Sequence, residues 1–141
     1  MMLSQRSVGL ALTLLVLAMP ALAGETPAPR DAKVYIVSPE DGATVSSPVK
    51  VVFGLSGMGV APAGTEKDKT GHHHLIINAG LPPLDEPIPA DKNYRHFGGG
   101  QTEVMLELPK GSHSLQLLMG DQNHIPHNPP VTSDTVVITV K

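Results

Sequence analysis

Hydrophobic and polar positions alternate along most of the chain with a period of two, as they do in strands that bury one face. Val34, Ile36 and Ser38 alternate with Tyr35 and Val37, which predicts a first strand, and Pro39 with Asp41-Gly42 predicts the turn that ends it. Residues 49–55 are β-branched and aromatic enough for a second strand, closed by Gly57 and Gly59. Residues 72–78 predict a third strand, with His72, His74, Ile76 and Asn78 on one face and His73, Leu75 and Ile77 on the other. Further strands are predicted over residues 94–97, 102–108, 113–119 and 135–140. In the stretch 113–119, His113, Leu115, Leu117 and Met119 share one face. Residues 61–71, 80–92 and 120–130 read as loops. In the second of these, Pro82, Pro83, Pro87 and Pro89 have no N–H to give to a sheet ladder.

No segment keeps a helical period over ten residues or more. About seven short strands separated by turns predict an all-β fold, an Ig-like antiparallel β-sandwich with Greek-key connections. A parallel α/β sheet would need crossover helices, and the Pro- and Gly-rich connections do not supply them. One sandwich domain is expected over residues 33–141, preceded by a flexible lead-in over residues 24–32, which is short, Pro-containing and without periodicity.

The first 23 residues read as a signal peptide. Arg6 gives a positive start, residues 8–19 form an apolar run, Pro20 ends it, and Ala21-Leu22-Ala23 is the small-x-small pattern that signal peptidase accepts. A spanning helix needs about 20 apolar residues, and this run is shorter. Cleavage after Ala23 is expected, with delivery to the periplasm and no membrane insertion afterwards. Gly24, not Cys, follows the cleavage point, so no lipid anchor is expected.

The formal net charge of −3 and the absence of any basic patch argue against nucleic acid as a partner. There is no polybasic or amphipathic stretch for a membrane surface. With no cysteine, an exported domain must rely on packing or on a bound ion.

Seven histidines stand against two Tyr, two Phe and no Trp, and all lie between His72 and His127. Neutral imidazole is a ligand for copper, zinc, iron and nickel. His72 and His74, two apart on a strand, point to one face about 6.5 Å apart, while His73 points to the other. His124 and His127 share a loop stiffened by Pro126 and Pro129. His96 stands beside Gly98-Gly99-Gly100, which permits close approach. The candidate metal ligands are therefore His72, His74, His96, His124 and His127, and the candidate ions are copper and zinc. His113, in phase with Leu115 and Leu117, reads as structural. Met119 belongs to the apolar face, and neither Met58 nor Met105 has a second Met near it to make a thioether site.

Alternatively, these histidines brace loops around a small-ligand or protein-partner site. Catalysis is not expected. There is no cysteine nucleophile and no Gly-x-Ser-x-Gly elbow, and Asp121 with His124 lacks a nucleophile to complete a dyad. The strand histidines loosely resemble those of copper–zinc superoxide dismutases, but the ordered ligand motifs and the disulfide of that family are missing.

Several stretches together resemble the bacterial family called domain of unknown function 4399. They include Ser38-Pro39-Glu40-Asp41-Gly42, Gly57-Met58-Gly59-Val60-Ala61-Pro62-Ala63-Gly64, Thr70-Gly71-His72-His73-His74-Leu75-Ile76-Ile77 and His96-Phe97-Gly98. Leu108-Pro109-Lys110-Gly111-Ser112-His113 and Gly120-Asp121-Gln122-Asn123-His124-Ile125-Pro126-His127 complete the set. The resemblance implies a secreted, periplasmic Ig-like domain. It implies no activity.

Overall fold

The structure is a computed structural model that describes residues 24–141; the signal peptide expected over residues 1–23 lies outside the described residues. Among the described residues the chain forms nine strands and no helix: β1 (Lys33–Ser38), β2 (Thr44–Val45), β3 (Val49–Ser56), β4 (Gly59–Val60), β5 (Thr70–Ile77), β6 (Tyr94–His96), β7 (Glu103–Leu106), β8 (Gly111–Gly120) and β9 (Val136–Val140). Seven coincide with the strands expected from alternation. The additions, β2 and β4, are two residues each and pair in parallel, with β9 and β5 respectively, so the sheets are mixed rather than purely antiparallel.

A three-stranded sheet, β1-β3-β7, packs on a larger one ordered β2-β9-β8-β5-β4, with β6 also paired to β5. The core between them holds Val51 and Phe53 from the smaller sheet and Leu75, Leu115, Leu117 and Ile138 from the larger. This is the β-sandwich that the alternating pattern predicts. Residues with period-two apolar side chains bury that face because each buried aliphatic side chain contributes about 1.5–3 kcal/mol.

β5 departs from simple alternation: every residue from Gly71 to Ile77 is buried. One face looks into the sandwich core. The other is roofed by loops instead of water, and Ile76, Leu118 and Ile88 form a second, smaller cluster there. Ile88 comes from the Pro-rich loop, anchored by its N–H to the His124 carbonyl at 2.8 Å. A covered outer face is what allows histidines to be dry on both sides of one strand.

Residues 24–32 are not a free lead-in. Ala28 N–H bonds Asn128 O at 2.9 Å, Asn128 N–H bonds Thr26 O at 2.9 Å, and the Thr26 hydroxyl donates to Asp121 at 2.6 Å. These partners lie about a hundred residues downstream, so local composition gives no sign of them. Among the described residues no helix is long and apolar enough to cross a membrane.

Candidate metal centre

The register of β5 sets the site. His72 faces Gly120 and His74 faces Leu118 across the β8 ladder, and His74 also faces His96 across the β6 ladder. Cross-strand partners share a face, so His72, His74 and His96 converge on the outer face of the larger sheet. His124 comes down from the loop above. Its φ of 66° places a non-glycine residue in the left-handed region, which costs energy and persists only where its surroundings enforce it.

Asp121 supplies much of that enforcement. Its buried carboxylate accepts N–H bonds from Asn123 at 2.8 Å and Ile125 at 3.0 Å on one oxygen, and the Thr26 hydroxyl on the other. Its backbone carbonyl takes the His124 N–H at 2.9 Å. Asp121 therefore shapes the loop that aims His124, a positioning role that its pairing with His124 in sequence suggested only as a dyad.

Each of the four histidines offers a ring nitrogen, and these atoms lie within 4.8 Å of one another. His74 Nε2 is 3.0 Å from His72 Nε2, and His124 Nδ1 is 3.2 Å from the same atom. A tetrahedral ion with metal–nitrogen bonds of about 2.0–2.1 Å holds its donors about 3.3–3.4 Å apart, so the two short separations already suit such an ion and the wider ones, up to 4.8 Å, must close on it. The alternative is internal hydrogen bonding, and it is frustrated. A ring nitrogen offers one N–H or one lone pair, so His72 Nε2 makes one good hydrogen bond with its two neighbours, not two. With all lone pairs turned inward on a cation, the conflict disappears.

Glycines make room for the rings. A Cβ on Gly120 would lie 2.9 Å from His74 Nε2 and 3.4 Å from the His124 carbonyl carbon. The buried His74 ring has nowhere to retreat. A Cβ on Gly98 would collide with His96 Cε1.

Burial and mutual proximity keep His72 and His74 uncharged. His72, 1% exposed, is pushed down to about 4, chiefly by burial and then by His96 and His124, with Asp121 opposing. His74, equally buried, falls to about 3 for the same leading reason, with His72 next. His96 is lowered, by the burial of its ring and by His124. Neutral imidazole is the ligating form, so protons do not compete for the His72 and His74 nitrogens near neutral pH.

The family model described as Domain of unknown function (DUF4399) matches residues 51–141. The chain belongs to this family. No curated protein and no solved structure matches it. The DUF4399 match takes in all four clustered histidines and Asp121, and leaves out β1 and β2.

Of the five ligands expected from sequence, this DUF4399 domain brings His72, His74, His96 and His124 together. His127 is placed elsewhere. Its buried ring lies over Gly71, and its Nε2–H donates to the Thr70 carbonyl at 3.1 Å. His113 is a strut, as its phase suggested: Nε2–H donates to Pro109 O at 2.7 Å, and Nδ1 accepts from the Asn78 amide at 2.9 Å. His73 lies in the sandwich core, its ring centroid 5.1 Å from that of Phe53. Burial pushes it down to about 4, with the Gln101 backbone offsetting slightly.

Proposed function

We propose that the domain is an exported, non-catalytic metal-binding protein that takes up one copper or zinc ion through His72, His74, His96 and His124. Its role on this reading is that of a carrier, buffer or sensor in the periplasm. One observation carries the reading: four imidazole nitrogens within 4.8 Å of one another, two of them on buried rings. The donor set is all nitrogen, without thiolate or carboxylate, which favours Cu(II), Zn(II) and Ni(II) over magnesium, calcium or Cu(I). Export rests on the n-region, apolar run and Ala21-Leu22-Ala23 of the amino terminus. The non-catalytic role rests on the sequence, which has no cysteine nucleophile and no Gly-x-Ser-x-Gly elbow.

A second reading takes the cluster as a hydrogen-bonded brace, and the contacts of 3.0 Å and 3.2 Å between ring nitrogens favour it. Calorimetric titration of the untagged domain from Gly24, at pH 7.5, with Cu(II) and with Zn(II), separates the two. The metal reading predicts one ion per chain and a stabilised fold, by about 2.7 kcal/mol at a free metal concentration of 100 Kd. Weak uptake of no fixed stoichiometry, with unchanged stability, would favour the brace.

A further inference from the structure

We propose that the four histidines are not equivalent: His72, His74 and His124 are the fixed ligands, and His96 is an exchangeable one, replaceable by an incoming neutral nitrogen donor of the imidazole class. The inference rests on the metal-binding reading and assigns the side through which the ion is gained and lost.

Three independent observations separate His96 from the others. The first is contact. His72 Nε2 touches both His74 and His124 at hydrogen-bond distance, whereas among the described residues the His96 ring makes no hydrogen bond. The second is exposure. His72 and His74 are 1% exposed and His124 is half-buried, while His96 is exposed. The cluster therefore has a wet side, and His96 stands on it.

The third is the backbone. His72 and His74 sit on β5, paired to β8 across six consecutive positions. His124 is pinned by its own N–H, its carbonyl and the Asp121 carboxylate. His96 instead ends β6, a strand of three residues paired to β5 and followed after Phe97 by three glycines. Gly98 stands beside its ring, where a Cβ would collide with it. Removing the His96 ring thus opens the centre to solvent and leaves the three other nitrogens in place. Catalytic zinc sites show that three protein ligands can hold the ion while the fourth position takes water or an incoming molecule, whereas four closed protein ligands mark structural sites. Exchange is a ligand substitution: one nitrogen lone pair leaves the ion as another arrives, with no change of oxidation state.

The test is electron paramagnetic resonance of the Cu(II)-loaded domain, wild type and His96→Ala, each titrated with free imidazole to about 10 mM, with His124→Ala as the comparison. His96→Ala is expected to keep one Cu(II) per chain at about tenfold lower affinity, and His124→Ala to lose about a hundredfold or more. Imidazole should shift the His96→Ala spectrum back to that of the wild type and leave the wild type unchanged. Release to a chelator should be about tenfold faster in His96→Ala. Loss of binding in His96→Ala as complete as in His124→Ala would overturn the inference, as would a spectrum that imidazole does not move. Failure of the wild type itself to bind Cu(II) or Zn(II) would remove the metal reading and this inference with it.

Discussion

Replacing both His72 and His74 by Gln is expected to abolish stoichiometric Cu(II) and Zn(II) uptake. These two side chains are the buried half of the cluster, they share one strand face, and they are fixed by the ladder between β5 and β8. Two of four nitrogens are lost, and Gln offers in their place an amide that is a poor ligand for either ion. A weakening of at least about a thousandfold, near 4 kcal/mol, is expected in the calorimetric titration. Glutamine keeps a polar end, so the fold should survive at a cost of about 1–3 kcal/mol for each buried amide left short of partners. Should the double variant unfold, His72→Gln alone carries the test, since His72 Nε2 is the atom that both His74 and His124 approach. An unchanged affinity in a folded variant would mean that the ion binds elsewhere. A destabilised variant whose wild-type parent shows no metal dependence would identify the histidines as structural.

The second large effect is acid lability of the metal-free domain. His72 and His73 are held down to about 4 and His74 to about 3, against the ordinary 6.5. In the unfolded chain these rings take up protons as pH falls through about 6.5, while the folded chain does not. Protons therefore favour the unfolded state, and stability present above pH 6.5 is lost progressively on the way down to pH 4. Each histidine contributes a slope of about 1.4 kcal/mol per pH unit within that window. For a domain of ordinary stability, three such slopes are enough to unfold it in mild acid. Urea unfolding midpoints of chelator-treated protein at pH 7.5, 6.5, 5.5 and 4.5 should fall steeply below pH 6.5. His73→Leu, on the core face beside Phe53, should make the fall shallower by one proton. Midpoints that stay level from pH 7.5 to 4.5 would contradict the burial of these rings in the uncharged form. A bound ion should shift the fall to lower pH, because protons must then displace it from His72 and His74.

The sandwich and half of the site are legible from the sequence for a single reason: a strand's side chains alternate. That rule separates His72 and His74 from His73 and sends His73 to the core with Leu75, as the structure has it. It also puts His113 and Met119 in line with the core leucines. The rule stops at loops. His124 and His127 stand three apart between prolines, and nothing in that spacing says that a left-handed backbone turns one ring into the cluster while the other bonds Thr70 O. His96 is legible as a candidate from its glycines, but its pairing with His74 is a matter of register between segments that a Pro-rich loop separates. The two-residue strands β2 and β4 are too short to display a period. The order of residues 24–32 and the roofing of β5 by Ile88 come from long-range hydrogen bonds, which leave no trace in local composition.

X-ray absorption fine structure of the Zn(II)-loaded domain, at one ion per chain, tests the central claim most directly because it counts and identifies the donors. The account predicts a first shell of four nitrogens at about 2.0–2.1 Å, with the outer-shell scattering of imidazole rings. A shell dominated by oxygen, or one with fewer than three imidazoles, would contradict it.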